Sequence, residues 1–168
     1  PPEYSVNESP LSGILTGTDN FTGGQFSSIP LGLSINQNTG VITPSTSTPN
    51  NYQINYLVPA NGACPAYFVT TNIIITPLPT ITNVAFSSNI CSGSSTDIVL
   101  TSDVINTTYT WSATISNITG SYVTSGNETD INQIATLTDS ENIGTITMVI
   151  IPRANGCDGT PRTILITV

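Results

Sequence analysis

The chain has 168 residues, a formal net charge of −8 and only 7% charged residues, against about 25% in an average soluble protein. Ten acids face two bases, Arg153 and Arg162, with no lysine and no histidine. The chain therefore lacks the basic footprint that nucleic-acid binding or attraction to an anionic membrane surface requires. Hydrophobic residues make up 38%, and β-branched types abound, which is the composition of a folded chain rather than a disordered one.

Short alternating runs separated by turn signals dominate, and no window has helical periodicity. Strands are predicted over 33–35 and 41–43, divided by Asn38-Thr39-Gly40. After Thr48-Pro49-Asn50-Asn51, Tyr52, Ile54, Tyr56 and Val58 alternate with Gln53, Asn55 and Leu57. Asn61-Gly62 then turns the chain into a strand over 67–76. Pro77-Leu78-Pro79 marks a boundary, since two prolines that restrict φ make a short, extended joint. Beyond it, strands are predicted over 97–101, 109–114 and 133–137. Next comes a run in which Ile146, Met148 and Ile150 alternate with Thr145, Thr147 and Val149. The turn Asn155-Gly156 precedes a last strand containing Ile164, Ile166 and Val168. No stretch approaches the roughly 18 apolar residues of a membrane span. A chain that opens on Pro1-Pro2 reads as a mature piece of a longer one.

The sequence nearly repeats itself. Tyr-Gln-Ile-Asn-Tyr-Leu-Val-Pro-Ala-Asn-Gly-Ala-Cys at 52–64 answers to Gly-Thr-Ile-Thr-Met-Val-Ile-Ile-Pro-Arg-Ala-Asn-Gly-Cys at 144–157. Pro59 aligns with Pro152 and Cys64 with Cys157, about 93 residues apart. Each copy is followed by a proline (Pro65, Pro161) and a Thr/Ile-rich strand. That period is too long for a solenoid unit and suits a β-sandwich domain. The expected fold is all-β, as two tandem antiparallel β-sandwich domains over 1–77 and 78–168. Each has room for a modest core only.

Chemistry is thinly represented. Without histidine there is no Ser-His-Asp or Cys-His constellation and no histidine-bearing metal site. Three widely spaced cysteines make no zinc-ligand pattern, and Cys64 has no base to activate it. The acids of the first half are Glu3, Glu8 and Asp19. Glu128-Thr129-Asp130 and Asp139-Ser140-Glu141 in the second half lie in turn-like stretches. They read as solvated loop acids, with calcium as the sharper alternative because it takes hard oxygen ligands on loops. Trp111 and most tyrosines alternate as core residues do, while Tyr122 near a turn is the candidate for a solvent-facing ring that could contact a ligand. Five Asn-x-Ser/Thr sequons, at Asn7, Asn20, Asn106, Asn117 and Asn127, are the number that chance produces in a chain so rich in these residues.

Gly23-Gly24-Gln25-Phe26-Ser27-Ser28, Gly32-Leu33-Ser34-Ile35 and Thr39-Gly40-Val41-Ile42 resemble a repeat of giant Bacteroidetes surface proteins and cadherin-like bacterial modules. Ile90-Cys91-Ser92-Gly93, Tyr109-Thr110-Trp111 and Gly156-Cys157-Asp158-Gly159-Thr160-Pro161 resemble the PKD-like domains of the same proteins. The bearers of such modules include gliding-motility adhesins of flavobacteria (the SprB type), exported by the type IX secretion system. The second half departs from PKD domains proper in having Ser112-Ala113-Thr114 where they carry Asp-Phe-Gly-Asp-Gly.

The order Cys91, Trp111, Cys157 also resembles the Cys…Trp…Cys of immunoglobulin-type sandwiches, which implies a Cys91–Cys157 disulfide. Leu11-Ser12-Gly13 resembles Cys91-Ser92-Gly93 with leucine in place of cysteine, leaving Cys64 as an odd thiol. It reads as a buried apolar residue, as one half of an interchain bridge, or as the mate of a cysteine upstream. The resemblance implies an extracellular, bacterial cell-surface, non-catalytic segment without cofactor or metal, acting as a rigid spacer in an adhesin. Its partners would be neighbouring repeats and surface polysaccharide. The alternatives are a carbohydrate-binding module of a secreted polysaccharide-degrading enzyme and a filament subunit joined through an edge strand or Cys64.

Overall fold

The computed structural model describes residues 3–6, 8–11, 23–83, 87–120 and 122–168. Asn7, Asn20, Asp19 and Ser12-Gly13 lie outside them. The chain is all-β, and among the described residues the one helical element is the short 3₁₀ turn Pro44–Thr46. It divides into two compact units, Pro1–Pro77 and Leu78–Val168.

The first unit contains β1 (Glu3–Ser5), β2 (Gln25–Ile29), β3 (Asn50–Val58) and β4 (Tyr67–Thr76), in the sheet order β1-β4-β3-β2. β3 and β4 form an antiparallel hairpin paired from Asn50↔Ile75 to Val58↔Tyr67. The alternation in β3 does what period two requires: Tyr52 and Tyr56 are buried, and Ile54 is half-buried on the same face. Tyr52 and Ile54 pack with Ile73, Ile75, Leu33 and Ile42, while the Tyr56 ring lies tilted against Phe26 with centroids 4.5 Å apart. The strands expected over 33–35 and 41–43 shrink to the single bridge Ile35↔Ile42. The Asn36 side chain accepts the N–H groups of Asn38 and Thr39, and Gly40 N–H donates to Asn36 O. That Asx turn tightens the loop, and Pro44 starts a 3₁₀ turn before a ladder can extend. Gly40 stands at φ +70, and a side chain there would strike the Phe26 ring.

In the second unit the elements are β5 (Ser87–Asn89), β6 (Ser94–Ser95), β7 (Ile98–Val99), β8 (Thr108–Ser116), β9 (Ile118–Thr119), β10 (Ser125–Gly126), β11 (Asp130–Ile131), β12 (Ile134–Leu137), β13 (Thr145–Ala154), β14 (Cys157–Asp158) and β15 (Arg162–Thr167). The main sheet runs β10-β8-β13-β15-β5, with β14 on β13. Shorter ladders pair β7 with β11 and join β6, β12 and β9. Ile146, Met148 and Ile150 of β13 are fully buried. They meet Tyr109 and Trp111 of β8, Ile164 and Ile166 of β15, and Ile98, Ile131 and Ala135 from the shorter ladders in one core. The strand expected over 97–101 is cut to two residues because Asp97 takes a left-handed φ of 43°.

Pro152 sits inside β13, where a proline would normally break a central strand. The pairing with β15 stops at Ile150↔Arg162, so no ladder partner needs the missing N–H. The Pro152 carbonyl, on that same side, accepts the Gly159 N–H at 2.7 Å.

Both copies of the repeat are long hairpins: β3–β4 in one unit, β13–β15 in the other. In each, the returning strand also carries a short parallel strand from the start of its unit: β1 on β4, with Tyr4↔Ile75, and β5 on β15, with Ser88↔Ile166. The repeat seen in sequence is thus a repeat of pairing pattern as well.

Candidate functional site

The three cysteines are free among the described residues. Cys64 and Asn61 exchange backbone hydrogen bonds of 3.0 and 3.1 Å at the tip of the first hairpin. The thiol residue is exposed there, which overturns the expectation of a buried apolar filler.

The expected Cys91–Cys157 bridge is also corrected. Ile90 N–H donates to Thr167 O, so Cys91 lies where β13 begins, because Thr167 pairs with Thr145. Cys157 pairs with Ala154, the other end of the same strand. Ten residues of strand at about 3.3 Å each separate the two positions by about 30 Å. A disulfide needs Cα atoms within about 7 Å. The Cys-Trp-Cys order was met by strands with different ends from those of an immunoglobulin domain. Peptide mapping without reductant is expected to return all three as free thiols, with Cys64 and Cys91 alkylated faster than the half-buried Cys157. A linked Cys91–Cys157 peptide from the monomer would contradict the register of β13 and β15.

Tyr122 does not offer the solvent-facing ring expected of it. It packs against the second core, its hydroxyl is buried, and loss of solvent pushes the phenol's pKa up. Trp111 is 5% exposed and belongs to the core, as its alternation indicated. Among the described residues the exposed aromatics are Tyr67 and Phe68 at the start of β4; sequence reasoning placed that strand but had no signal for its uncovered half.

Several of the acids brace loops and turns. Asp103 accepts the backbone N–H of Thr80 and the Thr80 hydroxyl, each at 2.7 Å, and Ser102 Oγ lies 3.2 Å away. These donors, the Thr80 N–H foremost, hold its carboxyl below the usual carboxylate range. A depressed pKa means stability that is present above the ordinary value and lost as the pH falls through the lowered one. Asp103→Asn is expected to flatten the acid limb of the second unit's stability below about pH 4, leaving the neutral region little changed. Denaturant midpoints measured against pH check this; an acid limb as steep as that of the parent would refute it.

Asp139 accepts the Glu141 N–H and the Asn142 side-chain amide, and these lower its pKa in the same order. Asn117, at φ +54, clamps this turn by donating to the carbonyls of Asp139 and Asn142. Glu128 accepts the Asn127 N–H, and Asp158 pairs with Arg153 at 2.6 Å. Among the described residues no group of three or more His, Cys, Asp or Glu stands together to hold a metal ion.

A shallow groove of about 280 Å³ in the second unit is lined by Asn83, Thr96, Asp97, Val99 and Leu165, among others. Asn83 is committed to backbone contacts with Val99 O and Thr101 N–H. Among the described lining residues Asp97 is the one carboxylate, and glycoside hydrolysis takes two.

Against known proteins, a PKD-like domain family matches residues 88–168. No curated protein matches the chain in sequence. Solved structures similar to it include mouse protocadherin-24 EC1-3, at 12% identity over 98% of this chain and 66% of that one, with a TM-score of 0.37. A SusE-like surface-located polysaccharide-binding protein from the heparin utilisation locus of Bacteroides thetaiotaomicron is 11% identical over 98% of this chain and 32% of that one, with a TM-score of 0.36. Mouse cadherin-23 EC22-24 gives 14%, 98%, 61% and 0.36. The chain spans from about a third to about two thirds of the length of these proteins. At such scores the likeness carries no ligand or partner over to this chain. No helix of the described residues is long and apolar enough to cross a membrane. The similarity to the PKD-like domain family covers nearly the whole of the second unit, Leu78–Val168.

Proposed function

We propose that the chain is a non-catalytic segment of a long secreted surface protein, two tandem Ig/PKD-like sandwich domains that act as a spacer in cell-surface adhesion of the gliding-motility type. The observation that carries this reading is the duplicated pairing pattern, a long hairpin with a parallel strand on its returning edge, found once in each unit. A unit built twice with its own core each time is a part made to be repeated, and stability then adds unit by unit. The PKD-like match over 88–168 supports it. So does the way side chains are spent: the acids brace turns and the tryptophan fills a core. The neutral Thr, Ser and Asn surface suits an extracellular setting, and the partners are further repeats of the same polypeptide.

The test is the mass of the intact polypeptide in the cell-surface fraction, with peptide sequencing on either side of this segment. The expected result is a chain of several hundred kilodaltons bearing more units of this kind. A short chain with one catalytic domain would overturn the spacer and make the two units accessory modules of an enzyme.

A further inference from the structure

The chain has two Asn-Gly dipeptides, and both stand in the turn of the repeated hairpin: Ala60-Asn61-Gly62 and Ala154-Asn155-Gly156. Their local chemistry is the same, but their support differs. Around Asn61 every residue from 59 to 72 is exposed, so neither face of that hairpin end is packed. The turn is held by the two Asn61–Cys64 backbone bonds. Around Asn155, by contrast, Pro152, Ala154 and Gly159 are buried. The Arg153 guanidinium donates to Gly156 O at 2.7 Å and to Asp158 at 2.6 Å, bracing the turn from both sides. Both glycines have positive φ, 60° at Gly62 and 79° at Gly156, but of the two asparagines only Asn155 does, at 51°.

From this contrast we propose that Asn61 is a site of spontaneous, structure-gated deamidation and that Asn155 is its protected counterpart. In the reaction the Gly62 backbone nitrogen attacks Asn61 Cγ. The N–Cγ bond forms, the Cγ–Nδ2 bond breaks, and the displaced nitrogen leaves as ammonia carrying the Gly62 amide proton. Water then opens the cyclic imide at either carbonyl, leaving aspartate or isoaspartate. Only water is consumed. Ring closure needs the asparagine to rotate out of its turn geometry, so its rate follows the free energy of local opening. That free energy is near zero for an unsupported tip and climbs toward the global value for a packed one. The isoaspartate product inserts an extra carbon into the main chain at the Asn61–Cys64 pair, which disrupts that pairing next to an exposed thiol. The site thus marks the age of the first hairpin, and it does so whatever the parent polypeptide is.

The test incubates the 168-residue chain at mildly alkaline pH and follows both turns by peptide mass mapping, natively and in denaturant. Asn61 is expected to react about tenfold faster than Asn155 or more in the native chain, with the two rates converging once the chain is unfolded. Arg153→Gln, which removes the brace, is expected to accelerate Asn155 and leave Asn61 unchanged. Equal native rates would overturn the proposal. So would a difference that persists in denaturant, since it would then come from sequence and not from structure. An unmoved Asn155 in the Arg153→Gln variant would overturn the role given to the brace.

Discussion

Trp111→Ala is expected to destabilise the second unit by about 3–5 kcal/mol, the usual cost of truncating a buried aromatic. The ring is 5% exposed and lies opposite Ile150 in the pairing of β8 with β13, on the face that also carries Tyr109. The neighbouring strand makes room for it: a side chain at Gly126 would approach the indole to 2.6 Å. With a domain stability of about 5–15 kcal/mol, such a loss takes about a fifth of the total or more. The indole nitrogen is buried without a hydrogen-bond partner among the described residues, so part of what the ring contributes is offset by a desolvated N–H. Trp111→Phe, which removes that group and keeps an aromatic body, is therefore expected to lose markedly less than Trp111→Ala. The first unit has its own core in Leu33, Ile42, Tyr52, Ile73 and Ile75, and its transition should not move. Denaturant titration followed by hydrogen exchange, at the amides of β3 and β4 for the first unit and of β8 and β13 for the second, tracks the two units separately. A loss below about 1 kcal/mol would mean that the ring does not carry this core.

Much of this was legible because strand alternation is a local signal. Ile146, Met148 and Ile150 announced β13 and its buried face, and Tyr52, Ile54 and Tyr56 did the same for β3. The duplicated Asn-Gly and Cys marked equivalent turns. What stayed hidden depends on contacts far apart in sequence. β1 and β5 are three residues each, too short for any period, and exist because a returning strand offers them an edge. The left-handed Asp97 that shortens β7 has no glycine to announce it. The disulfide expectation failed for a related reason: the order of Cys91, Trp111 and Cys157 says which residues exist, while the register says which strand end each occupies. Tyr122 sits near a turn, as an exposed ring would, but the chain folds it back onto the core. For Tyr122 and for the cysteines the local pattern is real, and the contact or register that redirects it lies far away in sequence.

In the first unit the largest effect is expected at Tyr52, where burial and a hydrogen bond can be separated. The ring is 1% exposed, and its hydroxyl donates to Thr48 O at 2.6 Å. Thr48 N–H donates in turn to Gly32 O, and Gly32 stands at φ +119 with its missing Cβ position 2.9 Å from the same hydroxyl. One phenol thus pins the 32–48 loop over the sheet. Tyr52→Ala should cost about 3–5 kcal/mol, by analogy with other aromatic truncations. Tyr52→Phe keeps the packing and loses the bond, for about 1 kcal/mol. The pH dependence separates the two contributions further. Burial raises the Tyr52 pKa, so the folded unit favours the protonated phenol. Its stabilisation is full below about pH 10, the value of the unfolded chain, and is lost as the pH rises through the raised one. The first unit should therefore weaken above about pH 10, and Tyr52→Phe, with nothing to ionise there, should lose that part of the alkaline limb. Tyr109 gives the second unit a limb of the same sign, through burial first and the Asp103 carboxylate second, and it serves as the internal reference. If the first unit of Tyr52→Phe weakens above pH 10 as steeply as the parent does, the phenol is not the group that limits it.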